Sequence, residues 1–561
     1  MRAEKQANRR IRLLLAVFVL VFAATLARAA WLQGVKAASL GRTAERQHRE
    51  SIPIPAGRGT IFDRTGVQLA IGEQTTTVYA DPREVAEPRK IAIAAHKLLG
   101  VDANALYPQL LKRQSRFVYI ERFADSKAAE ALMKKGFTGV GSYPEEKRVY
   151  PQGTVAAQLV GYAGTDNKGL AGLEVEYDQG LSGKPGRQTI VRDPFGRAID
   201  VISSTPEREG SDVFSTIDHT IQSNAEMVLR QTIAHWGAKG ATAIVLDPRT
   251  GAVLAMAQAP GFDANRANRS PQALQRNRAV TDTYEPGSTF KLVTIAGALS
   301  DGIVTPGTTF RLPYSIPVAD RVVHDAEFRP TETMSVATIL SHSSNVGAVT
   351  IAEKLGKSAL MDWITRFGFG KTTGLDFPGE SAGQVLPLER WYGSTIGNVP
   401  IGQGIAVTPI QMASAYAAIA NDGVWVQPHI VDRVGGRTLR RFAHRRVVSR
   451  TVDAQLKAML TNVVDEHGAT GNAAAIQGYT VAGKTGTAQK PGPHGYTTGK
   501  YVASFVGMVP ASNPRLVVLV AVDEPHGAIW GGYVAAPAFQ QIAQFDLQYL
   551  EVPPDGPLVK S

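Results

Sequence analysis

Strand-forming segments cluster at two places far apart in this chain, and the stretch between them is largely helical. Thr242-Ala-Ile-Val-Leu-Asp247 and Ala252-Val-Leu-Ala-Met-Ala257, joined by a Pro248-Arg-Thr-Gly251 turn, have the composition and turn chemistry of a hairpin. Further on, Tyr479 to Thr487, Val502 to Val509 and Leu516 to Val522 predict three more strands, with a closing helix from about Pro537 to Leu550. Sheet at both ends with helices over roughly 285–420 implies that the two blocks meet in one central antiparallel sheet flanked by helices. A helix from Ile221 to His235, apolar at spacings of three and four, opens this unit.

The 561 residues exceed one ordinary core, so further units are expected upstream. Residues 1–12 form a basic tail, and the apolar run 13–27 stands behind Arg9, Arg10 and Arg12. Ala29, Ala30, Trp31 and Leu32 extend the run if Arg28 snorkels, which predicts a transmembrane signal anchor over 13–33. Ala27-Arg28-Ala29 also has the small residues of a cleavage site, but the longer run favours an uncleaved anchor. The basic flank then stays cytoplasmic and everything after about residue 34 lies outside. Residues 35–60 read as an extended stalk, ending in Ile52-Pro-Ile-Pro55-Ala-Gly-Arg58-Gly59. Short strands such as Thr76-Thr-Val-Tyr-Ala80, modest helices such as Ile91 to Leu99 and many glycines give an irregular α+β pedestal, 34–216. The sheet unit is 217–550 and a frayed tail is 551–561, so the fold class is α+β.

Three short strings occur once each and in fixed order: Ser288-Thr-Phe-Lys291, Ser343-Ser-Asn345 and Lys484-Thr-Gly486. Helix geometry puts Ser288 and Lys291 on one face, a turn apart. A hydroxyl becomes a useful nucleophile when a base removes its proton, and a neutral lysine amine can serve. That requires a pKa several units below about 10.4, which burial or a second cation can produce. Backbone N–H groups at a helix start can assist an oxyanion. The plainer reading of this string alone is a capping serine and a surface lysine. Ser343 and Asn345 lie between helical stretches 335–342 and 346–355; a bend would project them, the hydroxyl to pass a proton and the amide to hold substrate. Alone they are ordinary loop caps. Lys484, Thr485, Gly486 and Thr487 lie on a β-type run, where a cation and two hydroxyls can bind a carboxylate and glycine admits a ligand backbone.

Gly478-Tyr-Thr-Val-Ala-Gly483-Lys484-Thr485 also fits the phosphate-cradling loop pattern, and Val517 to Asp523-Glu524 imitates its acidic strand. A phosphate loop must open a helix. Here 486–495, with Pro491 and Pro493, cannot be helical, which excludes the nucleotide reading. The net charge of +11 comes from scattered basic residues and suits an anionic lipid or wall polymer, so no nucleic acid is expected. Cysteine is absent and the histidines show no metal spacing; His324-Asp325 and His526 read as solvated loop residues, and neither metal nor cofactor is expected.

Together the three strings resemble the penicilloyl serine transferases, and specifically the class B penicillin-binding proteins. Arg58-Gly-Thr-Ile-Phe-Asp63-Arg64-Thr-Gly66 and Gly169-Leu-Ala-Gly172-Leu-Glu174 look like the family's pedestal motifs. Tyr284-Glu-Pro-Gly-Ser288-Thr-Phe-Lys291 matches its nucleophile segment, and Gly404-Ile-Ala-Val-Thr408-Pro409 and Gly531-Gly532-Tyr-Val-Ala-Ala536-Pro537 are similar to further transpeptidase landmarks. One departure is Ser344, where the broader group has aspartate.

The resemblance implies a monofunctional peptidoglycan D,D-transpeptidase with a dimerisation-like pedestal. Ser288 is its nucleophile, Lys291 its base, and Ser343 and Asn345 complete the catalytic set. Lys484, Thr485 and Thr487 bind the donor carboxylate, Gly486 completes this substrate-binding strand, and the backbone N–H groups of Ser288 and Thr487 form the oxyanion hole. Peptidoglycan stem peptides would be substrates and β-lactams covalent inhibitors. Partners would be a membrane glycosyltransferase and other division proteins, because the wording around Ser343 and Gly531 looks closer to division-specific than to elongation members. The expected location is the bacterial cytoplasmic membrane, single-pass. The rivals are an elongation-type transpeptidase, a D,D-carboxypeptidase or β-lactamase that uses water in place of an amine, and a non-catalytic scaffold.

Overall fold

The computed structural model describes residues 2–36, 49–192, 198–439, 442–492 and 495–556. It contains two compact units, Met1–Gly57 with Gly183–Glu209, and Arg58–Ser182 with Gly210–Ser561. The first holds the helix Arg2–Gly34 and a three-stranded antiparallel sheet. At about 1.5 Å per residue, residues 13–33 reach roughly 30 Å, the thickness of a bilayer core. Their apolar side chains are exposed, Phe18 by 77% and Leu20 by 72%. Among the described residues this is the one helix long and apolar enough to cross a membrane. The expected stalk is only partly an open chain. Arg49–Ile54 is a strand paired with Gly186–Arg192, which pairs in turn with Ala198–Thr205; residues 37–48 lie outside the described ones.

In the second unit the two β blocks meet. Their sheet runs Val253–Ala259, Gly240–Leu246, Leu516–Asp523, Gly495–Val509, Ala482–Gly492, antiparallel throughout. Burial of both faces explains the continuous apolar runs. Ala243, Val245, Val518 and Val520 pack on one side against the helices His219–Trp236 and Ala536–Tyr549; Ile244, Leu246, Val517 and Leu519 face the helical region. That region includes Lys291–Ser300, Val336–Ser341, Asn345–Leu355 and the fully buried Pro409–Ala420. It also contains two small antiparallel pairs that its helical reading omits: Thr309–Leu312 with Glu332–Ser335, and Ser315–Val318 with Arg321–His324.

Pedestal residues share secondary structure with this unit. A mixed sheet orders Arg437–Thr438, Val431–Val434, Val213–Ser215, Ile61–Phe62, Gln68–Ala80 and Val118–Ala124. The two pedestal motifs meet through a buried ion network. Arg58 Nε donates to Glu174 Oε2 at 2.7 Å, Arg58 Nη1 to Asp178 Oδ1 at 2.7 Å, and Arg148 Nε to Glu174 Oε1 at 2.6 Å. The end of the chain is tied down as far as it is described, which corrects the expectation of a frayed tail. Asp555 accepts hydrogen bonds from Thr480 N at 2.8 Å and from the hydroxyls of Thr480 and Ser512, and Gly556 N donates to Gly478 O. Residues 557–561 lie outside the described ones.

Candidate active site

The first string, with the expected nucleophile Ser288, follows a tight turn. Gly287 has φ +54°, a conformation open to glycine, and a Cβ there would lie 2.8 Å from Thr487 O. Its bareness brings the turn against the edge strand Ala482–Gly492. One 3-10 turn, Gly287–Phe290, then feeds the α-helix Lys291–Ser300, so Ser288 and Lys291 share a face. Gly287 N donates to Gly402 O at 3.1 Å, and Tyr416 donates its hydroxyl to Thr289 O at 2.9 Å. Ser288 is partly exposed, and its hydroxyl hydrogen-bonds to none of the described residues.

Ser343 occupies the expected bend between helices, at φ +59°. Lys291 Nζ, fully buried, donates to Ser343 O at 2.5 Å, Ser343 Oγ at 3.2 Å and Asn345 Oδ1 at 2.8 Å. Lys484 Nζ, also fully buried, reaches Ser343 Oγ from the edge strand at 3.0 Å and bonds Thr485 O and Thr485 Oγ1 at 3.2 and 3.1 Å. Thr485 Oγ1 donates to Thr470 Oγ1 at 2.9 Å. All three strings thus converge on one hydroxyl. Gly486 and Gly531 let backbones pack behind the strand. A Cβ on Gly486 would lie 2.4 Å from Ser504 Oγ, and one on Gly531 would lie 2.4 Å from Gly486 O. Gly531 N donates to Thr487 Oγ1 at 3.1 Å, which fixes the side chain that follows the third string.

Burial lowers both lysine amines. Lys291 falls to about 7, because desolvation outweighs the attraction of the Asp325 carboxylate. Lys484 is pushed well below its ordinary value by desolvation first and by the charge of Lys291 second. Burial and mutual repulsion thus both work against the two amines being charged at once.

Asp325 corrects the expectation of a solvated loop. It is 6% exposed, accepts from both Ser344 Oγ, at 3.0 and 3.1 Å, and Val346 N at 3.0 Å, and is ion-paired with Arg329 at 2.6 Å. Ser344 in turn caps the helix Asn345–Leu355 by accepting from Gly347 N. The carboxylate absent from the centre of the second string is supplied by a neighbouring hairpin, which hydrogen-bonds the Ser344 that stands there. Asn345 Nδ2 donates to His324 O at 3.1 Å, so the same loop steadies the amide. His526 Nδ1 donates to Gly237 O at 2.7 Å. Thr470 and Tyr416 carry no motif and were not legible as site residues.

The phosphate-loop imitation fails structurally as well. The lysine of that pattern lies on a strand that runs to Gly492, and the imitation acidic pair is occupied: Lys490 Nζ bonds Asp523 at 2.6 Å and Glu524 at 2.7 Å. Residues 493 and 494 lie outside the described ones.

Residues 241–544 match the penicillin binding protein transpeptidase domain, and residues 53–215 match the penicillin-binding protein dimerisation domain. The chain is 33% identical over 566 residues to the peptidoglycan D,D-transpeptidase FtsI of Escherichia coli K12, covering 99% of this chain and 95% of that protein. It is 35% identical over 569 residues to the penicillin-binding protein PbpB of Mycobacterium tuberculosis, covering 94% and 84%. Among solved structures it is similar to penicillin-binding protein 3 of M. tuberculosis in complex with aztreonam, with TM-score 0.71, 32% identity, and 91% and 99% of the two chains covered.

Proposed function

This chain belongs to the class B penicillin-binding proteins, and from that premise we propose that it is a serine peptidoglycan D,D-transpeptidase. It cross-links stem peptides during septal wall synthesis in cell division and is acylated by β-lactams. The observation that carries this reading is the convergence of Lys291 and Lys484 on Ser343 Oγ, with Lys291 one helical turn along from a partly exposed Ser288.

Lys291, uncharged in part at neutral pH, takes the Ser288 proton as its oxygen attacks the carbonyl between two terminal D-alanines. Backbone N–H groups of Ser288 and Thr487 hold the developing oxyanion; the close approach of Gly287 to Thr487 supports this pairing. Because Ser343 Oγ accepts from both amines, its own proton is free to pass to the departing D-alanine nitrogen, and Lys291 makes good that proton. The donor carboxylate is bound by Lys484, Thr485 and Thr487, with Gly486 admitting its backbone, and Asn345 holds the peptide. An amine from a second stem then displaces the Ser288 ester, and water is the competing acceptor.

In this reading residues 34–216 are the pedestal and 217–550 the transpeptidase domain. The helix over 13–33 anchors the chain in the cytoplasmic membrane with its basic end inside, beside a membrane glycosyltransferase and other division proteins. Fluorescent penicillin should label the wild type covalently and should not label Ser288→Ala, whose circular dichroism and melting stay unchanged. Labelling that persists in a folded Ser288→Ala would remove Ser288 from the role.

A further inference from the structure

A cleft of about 970 Å³ adjoins the nucleophile turn and is walled by Tyr284, Glu285, Gly404 and, from the edge strand, Ala488 to Pro491. Three carboxylates line it. Asp282 is paired with Arg276 at 2.9 Å and Asp523 with Lys490 at 2.6 Å, whereas Glu285 has no cationic partner among the described residues. Its oxygens accept only neutral donors: Gly404 N at 2.9 Å, and the Tyr496 hydroxyl at 3.2 and 2.9 Å. The segment that holds Glu285 also holds the nucleophile turn, since Gly402 O accepts from Gly287 N two residues before Gly404. Only Pro286 and Gly287 separate Glu285 from Ser288. Elsewhere in the cleft Arg278, Lys371 and Arg390 have no carboxylate partner among the described residues, so its remainder attracts an anionic peptide.

We infer that Glu285 receives the acceptor of the second step, binding the primary ammonium of an incoming peptide that carries carboxylates of its own. This rests on the transpeptidase reading above and supplies what that reading leaves open, a group that favours an amine over water. An amine reaches the site protonated and must lose that proton before it attacks. Burial raises the Glu285 carboxyl above its ordinary value, and desolvation disfavours both charges of the ion pair. The proton therefore passes from the ammonium to the Glu285 carboxylate. The free amine attacks the Ser288 ester carbonyl and forms the amide C–N bond; Lys291 takes the second amine proton and returns it to the Ser288 oxygen as the ester C–O bond breaks. Glu285 then releases its proton to solvent.

The test uses the full chain in detergent, a D-alanyl thioester as acyl donor, and two acceptors: D-alanine, an ammonium at neutral pH, and hydroxylamine, which is uncharged there. In Glu285→Gln the ratio of D-alanine transfer to hydrolysis should fall at least about tenfold. Transfer to hydroxylamine and acylation by penicillin should each fall by less than about threefold, since Gln can still accept from Gly404 and Tyr496. Glu285→Asp, which keeps the charge, should recover part of the D-alanine transfer. An unchanged ratio in Glu285→Gln overturns the inference, and so does an equal loss with both acceptors, which would make Glu285 a strut for the nucleophile turn. Failure of the wild type to be acylated would overturn the transpeptidase reading itself, and the inference with it.

Discussion

Ser343 is held where few non-glycine residues sit, in the left-handed region, at a cost on the order of 1 kcal/mol. Its carbonyl bond to Lys291 and the Asp325 anchor on the next residue hold the bend in place. Asp325 therefore acts on Lys291, the proposed base, in two ways, by placing the bend and by favouring the charged form of the amine. In the proposed mechanism acylation needs the free amine, so its rate should rise with pH through about 7. Asp325→Asn removes the attraction, which lowers the Lys291 pKa further, so the acidic limb of the acylation profile moves to lower pH. Stopped-flow penicillin acylation between pH 5 and pH 9 measures this, and a limb that stays put or moves up contradicts it. The three strings were legible because their residue types carry chemistry at fixed spacing. Asp325 was not, because a lone acid in a polar loop has no spacing to read.

At the scale of elements, the site depends on how closely backbone can stack behind the edge strand. Gly531 starts a short helix whose N–H reaches Thr487 Oγ1, and a Cβ there would lie 2.2 Å from Ser504 O as well as 2.4 Å from Gly486 O. Both are strand backbone atoms that cannot turn aside. Gly531→Ala should push the third string out of line and slow penicillin acylation by at least about tenfold, a loss of about 1.4 kcal/mol or more in transition-state binding. Acylation kinetics near the wild-type rate would show that the strand yields without harm. The sheet itself was readable from sequence because both faces of its inner strands are buried and those strands carry continuous apolar runs, as in Gly240–Leu246 and Leu516–Asp523. The small hairpins within 309–335 were not: each strand has four residues, several polar, and Val322 is 67% exposed, so neither periodicity nor an apolar run marks them.

For the whole molecule, the boundary near residue 216 divides roles more cleanly than it divides the physical structure. Val431–Val434, distant in sequence, adds to the pedestal sheet beside Val213–Ser215. Asp376 accepts from the Tyr177 hydroxyl at 2.9 Å and from Ile430 N at 2.6 Å, and Glu226 accepts from Ala156 N at 2.8 Å. Ile61, Leu69, Leu159 and Leu173 belong to the same apolar core as Ile244, Phe290 and Ile339. Such joints lie outside what local pattern can show, because each pairs residues far apart in the chain. Residues 58–182 and 210–556 should therefore unfold together. Calorimetry on the detergent-solubilised chain should find them in a single transition, and penicillin acylation should protect this whole assembly as one by binding only its folded form. Glu174→Gln breaks a buried ion network in the pedestal and should lower that same transition, by about 3–5 kcal/mol, even though the pedestal holds no motif of the acylation site. If instead the variant splits the melt into an early pedestal transition and an unshifted, penicillin-protected one, the pedestal is an independent domain and the shared sheet carries no cooperativity.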